Sequence, residues 1–192
     1  MTCPIATGER LLTTVVVMPS RRVPRPVLVG ATLLVLLAVA FVVTRSDGDS
    51  GPSAAEVNAV ELAALGDGEE ARLEDLLDGQ PLVLNFFAQW CQPCRQEMPD
   101  FEEVHQQLGD RVTVVGVALP PASGAEKLAR ETGVTYPTYV DPHSEVLTLF
   151  GGTQMPTTVF ITPEGEVAAT VMERMSKADI LERIEDDLGV AA

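Results

Sequence analysis

Two cysteines three positions apart, Cys91 and Cys94, are the residues of this chain whose spacing points most directly to chemistry. A Cys-x-x-Cys pair can supply half of a zinc site, form a structural disulfide or serve as a redox centre. Zinc would need two further ligands, and the two histidines, His105 and His143, stand in no zinc-binding spacing. A structural disulfide that closes so short a loop would stabilise the fold only weakly. We therefore prefer a redox centre and predict no metal site.

The residues around the pair predict unequal roles for the two sulfurs. Cys91 directly follows an apolar segment and opens a stretch with helical spacing. Unpaired backbone N–H groups and the helix dipole favour a thiolate at such a position, so Cys91 is the predicted nucleophile, with its sulfur expected at the surface. Cys94 lies one turn further into the helix, where it can attack a mixed disulfide formed at Cys91 and release the substrate. Pro93 suits the first helical turn, because its missing N–H would have no partner there.

The elements that must position the pair follow a βαβα pattern. Residues 81–88 form a near-continuous apolar run, which predicts a strand buried on both faces at the centre of a sheet. Behind this strand, the pattern predicts a helix over residues 94–108 with Pro99 inside, a strand over 111–119, and a helix over 125–132 that is closed by Gly133.

The pattern changes towards the C-terminus. We expect a short strand over residues 136–140, a short helix over 145–150, a hairpin of strands over 157–162 and 166–171, and an amphipathic helix over 176–188. Ser176 and Asp179 have the spacing of a capping box at the start of that last helix. Upstream of the cysteine pair, residues 57–65 predict an added strand and residues 71–78 a short helical turn.

An apolar segment without charged residues covers residues 27–43. As a helix it would span about 25 Å, which reaches across a bilayer with help from its flanks. Arginines at positions 21, 22 and 25 precede it. The positive-inside rule therefore predicts a cytoplasmic N-terminal segment (1–26), a transmembrane anchor (27–43), a linker (44–56) and an extracytoplasmic domain (57–192). Cleavage of a signal peptide after Ala40 is the alternative.

The negative charge is concentrated after the predicted anchor. The chain has a formal net charge of −15, and residues 47–192 carry eight basic and 27 acidic side chains. A body this acidic repels nucleic acid and anionic lipid surfaces, so we predict no nucleic-acid partner. Membrane contact is expected through residues 27–43 alone. Apolar residues make up 46% of the chain, which is enough for an ordinary core.

Two motifs of the chain resemble those of one protein superfamily. The first is FAQWCQPC at residues 87–94, and the second is MPT at residues 155–157 before a hairpin and a terminal helix. Together they resemble thioredoxin-fold proteins. More narrowly, residues 85–99, with Tyr136-Pro137 leading to Asp141-Pro142, resemble the membrane-anchored TlpA/ResA/DsbE group of thiol–disulfide oxidoreductases. The resemblance covers about residues 55–190 and implies an α/β, thioredoxin-like fold with a central mixed β-sheet flanked by helices.

The same resemblance implies roles for individual residues. It implies a redox disulfide between Cys91 and Cys94 and a cis peptide bond between Met155 and Pro156 beside it. The Met155 backbone would pair with an extended segment of the substrate. Trp90 would form a partly exposed apolar wall for that substrate.

Proton transfer at the site has two open interpretations. Asn85 stands where thioredoxin itself has a buried aspartate, so a proton acceptor from that position is missing. The resemblance implies Glu97 as the replacement. Alternatively, Glu97 is a solvated carboxylate favoured in the first helical turn by the dipole. We interpret the two histidines, and the acidic residues in 100–103 and 182–187, as solvated surface groups.

These observations predict a membrane-tethered, extracytoplasmic thiol–disulfide oxidoreductase that acts on protein cysteines and needs no cofactor beyond its own cysteine pair. The resemblance implies cytochrome c maturation, with apocytochrome c as a client, as the leading pathway, and oxidative folding as the next. A membrane or extracytoplasmic redox partner would restore the pair, and the exchange can run in either direction. The alternatives are a thiol peroxidase on the same fold and a non-enzymatic tethered binding or chaperone module with an inert disulfide.

Overall fold

The computed structural model describes residues 51–191 of the chain. The predicted anchor at residues 27–43 and the segment before it lie outside the described residues. Within residues 51–191, no helix has both the length and the apolar character needed to span a bilayer.

Helices and strands alternate along the described residues. In chain order they are α1 (Ala54–Asn58), β1 (Glu61–Ala64), β2 (Ala71–Arg72), α2 (Leu73–Leu77), β3 (Leu82–Phe87), α3 (Gln92–Leu108), β4 (Thr113–Ala118), α4 (Ala122–Thr132), β5 (Thr138–Val140), α5 (Glu145–Leu149), β6 (Thr157–Ile161), β7 (Val167–Val171) and α6 (Lys177–Leu188).

Strand β3 lies inside a single mixed sheet with the strand order β2-β1-β5-β4-β3-β6-β7. It pairs in parallel with β4 and antiparallel with β6. All six of its residues are buried, which explains why its sequence is a continuous apolar run rather than an alternating one. The predicted buried central strand, the mixed sheet and the flanking helices are therefore confirmed.

Two clusters of buried apolar side chains hold the helices against the sheet. The first joins β3 and β6 to α3 and α6, and includes Val83, Phe101, Phe160 and Ile180. The second joins β3 to α1 and α2, and includes Val57, Leu73, Leu84 and both cysteines. The cysteine pair is thus part of the core that stabilises the sheet.

The start of the folded region differs from the sequence prediction. The strand predicted over 57–65 begins only at Glu61, because Ala54–Asn58 form a helical turn instead. Ser53 and Glu56 cap that turn reciprocally, with the Ser53 N–H 2.9 Å from a Glu56 carboxylate oxygen, and Val57 is buried. The last residues of the predicted linker (44–56) therefore belong to the fold, which starts before residue 57.

The helix starts of the middle region also lie earlier than predicted. Helix α3 begins at Gln92 rather than at residue 94, because Cys91 is its N-cap. Helix α4 begins at Ala122 rather than at 125, directly after Pro121. Its end agrees with the prediction, since Gly133 adopts the left-handed conformation, with φ of 73°, that closes a helix.

Gly116 of β4 is a position of close approach beneath the aromatic core. A methyl group at this position would lie 3.1 Å from ring or side-chain carbons of Phe87, Tyr136 and Thr138 alike. Contacts this short on three sides force neighbouring side chains to move in a well-packed interior. The absence of a side chain at Gly116 thus allows the Tyr136 ring to lie against the sheet.

Substituting Gly116→Ala should lower the free energy of unfolding by about 1–3 kcal/mol, because the added methyl overpacks this region. Denaturant unfolding of the full-length chain measures the change. Gly68→Ala is a suitable control, since a methyl there meets only ordinary contacts of 3.7 Å or more. A Gly116→Ala protein as stable as the control would show that this packing is looser than described.

Candidate active site

The cysteine pair lies where the central strand passes into helix α3. The Cys91 N–H donates to the Ala88 carbonyl at 3.0 Å, which closes a turn directly after β3. Cys91 and Cys94 are joined by a disulfide, with Cα atoms 5.3 Å apart. Pro93 occupies the first turn of the helix, as the sequence predicts.

The Cys91 sulfur occupies the N-cap position of helix α3. It accepts a hydrogen bond from the Cys94 backbone N–H at 3.1 Å. This N–H is one of the helix donors that have no partner within the helix, and the positive end of the helix dipole lies at the same point. The local geometry therefore favours negative charge on the Cys91 sulfur.

The two cysteines differ in burial, although less than the sequence suggested. We expected the Cys91 sulfur at the surface, but in the disulfide Cys91 is only 4% exposed, because it packs into the apolar core. Cys94 is fully buried. Any approach from solvent therefore reaches Cys91 first. Trp90, the residue before it, is 62% exposed and forms an open apolar surface beside the pair.

The loop before β6 lies at the same edge of the sheet. Phe86 of β3 pairs with Thr157 of β6, so the next residues along, Phe87 and Pro156, lie near each other at the end of β3. The peptide bond between Met155 and Pro156 is cis. Pro156 is buried and Met155 is half-buried. Register thus brings the loop with Pro156 to the turn that carries Cys91.

Two hydrogen bonds attach this loop to its surroundings. The Thr157 hydroxyl donates to the Gln154 carbonyl at 2.6 Å. The Gln154 side-chain amide donates to the backbone carbonyl of Met172, the residue after β7. The loop is therefore fixed both to the strand it precedes and to the edge strand of the sheet.

Glu97 is a buried carboxylate that connects helix α3 with the central strand. Its Oε1 accepts a hydrogen bond from Asn85 Nδ2 at 2.8 Å, and its Oε2 accepts one from the Met175 backbone N–H at 3.3 Å. The Asn85 amide also donates to the Thr158 hydroxyl of β6 at 3.3 Å. Asn85, Glu97 and Thr158 are all fully buried.

Burial raises the pKa of Glu97 from 4.5 to about 7. The hydrogen bonds from Asn85 and Met175 and the positive charge of Arg174 lower its pKa, but burial outweighs them. Of our two interpretations, the solvated carboxylate is wrong, because Glu97 packs on the inner face of α3 and has no exposed surface. Its carboxyl group can therefore gain and lose a proton near neutral pH.

Two groups interpreted as solvated are also buried or half-buried. Glu102 lies on the inner face of α3 and accepts hydrogen bonds from the Thr135 N–H at 2.6 Å and the Thr135 hydroxyl at 2.7 Å. Burial acts to raise the pKa of Glu102, but these bonds and one from Gln106 outweigh burial and keep the pKa low. His105 is half-buried, with its ring edge-on against Tyr136. His143 is exposed, as predicted.

Several residues that build the site could not be identified from local sequence patterns. Thr158 and the Met175 N–H come from distant segments and reach Glu97 or Asn85 only through the sheet and α6 packing. A second cis bond, between Pro120 and Pro121, follows β4. It lies beside the active-site turn, because the Leu119 N–H donates to the Phe87 carbonyl at 2.8 Å. The Pro-Pro dipeptide after a strand was the available signal.

No group of three or more histidine, cysteine or acidic side chains within residues 51–191 is arranged to hold a metal ion. The described site brings together two sulfurs and one buried carboxyl group.

Comparison with protein families gives one match that covers most of the folded region. The sequence model of the AhpC/TSA family matches residues 54–170. The thiol–disulfide oxidoreductase ResA of Geobacillus thermodenitrificans is 35% identical over 122 residues, which cover 62% of this chain and 69% of that protein. ResA of Oceanobacillus iheyensis is 29% identical over 161 residues, which cover 80% of this chain and 81% of that protein.

Solved structures share the fold. The structure of MTB DsbF, in mixed oxidized and reduced forms, superposes with a TM-score of 0.61 at 31% identity and covers 70% of this chain and 97% of its own. A thiol:disulfide interchange protein of the thioredoxin family from Chlorobium tepidum superposes with a TM-score of 0.61 at 28% identity, covering 75% and 100%. The described region therefore has a thioredoxin-like fold.

The raised pKa of Glu97 predicts a specific pH dependence of stability. The folded state favours the neutral carboxyl, so the contribution of Glu97 to the stability of the wild-type protein is greatest below pH 4.5 and is lost as the pH rises through about 7. A rise of the pKa from 4.5 to about 7 corresponds to roughly 3 kcal/mol. Glu97→Gln cannot ionise and should lack this loss, which denaturant unfolding at a series of pH values measures.

Glu103→Gln is the matched control, since Glu103 is an exposed glutamate of the same helix. It should keep the wild-type pH dependence. If Glu97→Gln and the wild-type protein lose stability in parallel between these pH values, Glu97 is not the buried titrating group.

Proposed function

The chain belongs to the AhpC/TSA family and is a thiol–disulfide oxidoreductase, and on this premise we propose that it exchanges disulfides with the cysteines of other proteins through Cys91 and Cys94. The observation that carries the proposal is the N-cap position of the Cys91 sulfur, which accepts the Cys94 N–H and is the less buried of the pair. A sulfur at this position is both the more stabilised thiolate and the one that a substrate can reach.

In the reducing direction, the exchange proceeds in two steps. The Cys91 thiolate attacks one sulfur of a substrate disulfide, the substrate S–S bond breaks, and the other substrate sulfur leaves as a thiolate that takes up a proton. The Cys94 thiol then loses its proton and attacks the Cys91 sulfur, which releases the second substrate thiolate. Two electrons have passed to the substrate, and Cys91 and Cys94 form the disulfide. The oxidising direction reverses these steps.

Glu97 accepts the proton that Cys94 must lose. It lies one helical turn after Cys94, and its pKa of about 7 leaves a substantial fraction ionised at neutral pH. Cys94 is fully buried and has no direct access to solvent in the disulfide form. A base within the protein is therefore better placed than water to accept its proton. The Asn85 amide holds the carboxylate in place.

The substrate binds across the edge of the sheet that carries Cys91. The exposed Trp90 indole provides an apolar wall, and the backbone of Met155 pairs with an extended substrate segment. Pro156 supports that backbone from its buried position. The client is thus a protein segment that surrounds a cysteine, and no cofactor beyond the cysteine pair is needed.

The protein works outside the cytoplasm and is held at the membrane by residues 27–43. The basic flank before this apolar segment supports the orientation. The similarity to ResA thiol–disulfide oxidoreductases supports exchange with protein disulfides. As the finer proposal, the pair reduces apocytochrome c, and a membrane or extracytoplasmic redox partner restores the reduced pair. In this role the disulfide of the described structure is the form left after one turnover.

A thiol peroxidase would need an arginine directed at its reactive cysteine. Arg95, the arginine next to the pair in sequence, is instead bound to Glu131 of α4 at 2.8 Å. Measured turnover with peroxide distinguishes this alternative, and a reduced Cys91–Cys94 pair that fails to react with protein disulfides would favour the inert binding module.

The unequal roles of the two cysteines predict that replacing one or the other traps client proteins to different extents. In Cys94→Ser, Cys91 can still attack a client protein, but no second cysteine can release the client. Mixed disulfides with client proteins should therefore accumulate, and a reductant should cleave them. Cys91→Ser should accumulate almost none, because Cys94 is fully buried. Non-reducing gels of the two full-length variants from the same host measure the difference. Equal trapping, or trapping by Cys91→Ser alone, would reverse the assignment of the two sulfurs.

The proposed topology predicts the result of proteolysis on intact cells stripped of their wall. Protease added outside should digest the domain that follows residue 56 while a cytoplasmic control protein survives. Protection of the domain would contradict the orientation. Release of the intact domain into the medium without protease would favour cleavage after Ala40 over a retained anchor.

A further inference from the structure

The turn between β3 and α3, residues 88–91, carries both the Cys91 sulfur and the exposed indole of the site. The Cys91 N–H closes this turn on the Ala88 carbonyl at 3.0 Å. The two residues between them, Gln89 and Trp90, are both exposed. Neither belongs to β3 or α3, so the hydrogen bonds of regular secondary structure do not fix them. The orientation of Trp90 therefore depends on side-chain contacts at the tip of this turn.

The side chain of Gln89 extends from the turn to the start of α4. A methyl group placed on Gly124 would overlap the Gln89 amide and would lie 3.0 Å from the Gln89 Cβ atom. The amide therefore occupies the space that any side chain at position 124 would need. Gly124 is half-buried, although it lies in the first turn of a surface helix. This burial agrees with a position that a neighbouring side chain covers.

The backbone of α4 does not require glycine at position 124. Gly124 is not among the residues with positive φ, and its N–H donates to the Pro121 carbonyl at 3.2 Å within the first turn of the helix. Alanine favours a helix more than glycine does at such a position. What Gly124 provides is therefore the space above it, and Gln89 fills that space.

The start of α4 is held beside the turn by the sheet. The Leu119 N–H donates to the Phe87 carbonyl at 2.8 Å, which joins the ends of β4 and β3, and α4 begins three residues after Leu119. Near the other end of α4, Glu131 binds Arg95 of α3 at 2.8 Å. Helix α4 is thus attached to both elements that flank the turn, and it offers Gln89 a fixed surface.

We propose that Gln89 is a positioning residue for disulfide exchange with proteins: its side chain lies in the gap above Gly124 and thereby fixes the orientation of the Trp90 indole. The proposal rests on the proposed function, in which this indole contacts the client. A turn tip that becomes ordered only on binding costs conformational entropy, and ordering it beforehand lowers that cost. Gln89 therefore acts on client binding and leaves the chemistry of the Cys91 sulfur unchanged.

Two substitutions remove the contact from opposite sides. Gly124→Ala fills the gap and displaces the Gln89 amide, whereas Gln89→Ala leaves the gap empty. Because the displaced group is exposed and alanine favours the helix, Gly124→Ala should show no loss of stability in denaturant unfolding. The matched controls are Ser123→Ala, at an exposed residue of the same turn of α4, and Gln107→Ala, at an exposed glutamine towards the end of α3.

The kinetic readout compares two disulfides as oxidants of the reduced full-length protein. One is an extended peptide with a single disulfide, and the other is hydroxyethyl disulfide, which is too small to contact Trp90 while it reacts with Cys91. Gly124→Ala and Gln89→Ala should each lower the second-order rate constant for the peptide about two- to tenfold, because the turn tip must then be ordered on binding. The rate constant for hydroxyethyl disulfide should stay unchanged. The double variant should match the single ones, since both substitutions remove one contact.

Fluorescence reports on the turn tip without any substrate, because Trp90 is the only tryptophan of the chain. The anisotropy of its emission should fall in Gly124→Ala and in Gln89→Ala, since the indole then moves more freely, and should keep the wild-type value in both controls. In the unsubstituted protein, NMR should show nuclear Overhauser effects between the side-chain amide protons of Gln89 and the Hα protons of Gly124.

Several results would overturn the proposal. They are unchanged peptide rates or unchanged anisotropy in Gly124→Ala, an equal fall in the rates with both disulfides, and the absence of the nuclear Overhauser effects. A Gly124→Ala protein less stable than Ser123→Ala would also overturn it, because the glycine would then serve packing alone. If the wild-type protein fails to react with the peptide disulfide, the proposed function fails, while anisotropy and NMR still decide the position of Gln89.

Discussion

The hydrogen bond between Asn85 and Glu97 joins the central strand to the helix that carries both cysteines. A buried carboxylate is costly to keep charged unless other groups compensate, and here three segments contribute: Asn85 from β3, the Met175 N–H before α6, and Thr158 of β6 through the Asn85 amide. Helix α3 is consequently fixed in register along the sheet. The position of Cys91 at the end of β3 and the titration of Glu97 near pH 7 both depend on this arrangement.

The second constraint is the direction and order of the strands, which bring the segments of the site together at one edge of the sheet. Strands β3 and β4 run in parallel and are neighbours in the sheet. The turn with Cys91 comes directly after the carboxyl end of β3, and the cis Pro120–Pro121 bond comes after the carboxyl end of β4. Strand β6 runs antiparallel, so the loop with Pro156 enters at that same edge. Three segments far apart in sequence thus surround one disulfide, and the exposed Trp90 extends their surface towards solvent.

Much of this architecture could be predicted from the sequence, because periodicity and cap signals are local. The buried run at β3, the closing Gly133 and the Ser176 capping box all correspond to observed features. The state of Glu97 was left open, and the burial of Glu102 was missed, because a helix carries acidic residues on either face and only packing decides which face is inward. The partners Thr158 and Met175 depend on long-range pairing that no local pattern encodes.

In the proposed exchange, the buried carboxyl group of Glu97 accepts the proton of the buried Cys94 during release of the substrate. The most direct test of this step is the rate at which Cys94 resolves a preformed mixed disulfide at Cys91, measured by rapid mixing at pH values on both sides of 7 in the wild-type protein and in Glu97→Gln. If Glu97 is the base, the wild-type rate should rise with a midpoint near the Glu97 pKa of about 7, and the variant should show a slower rate without that midpoint. The same rates and the same pH profile in both proteins would contradict this role of Glu97.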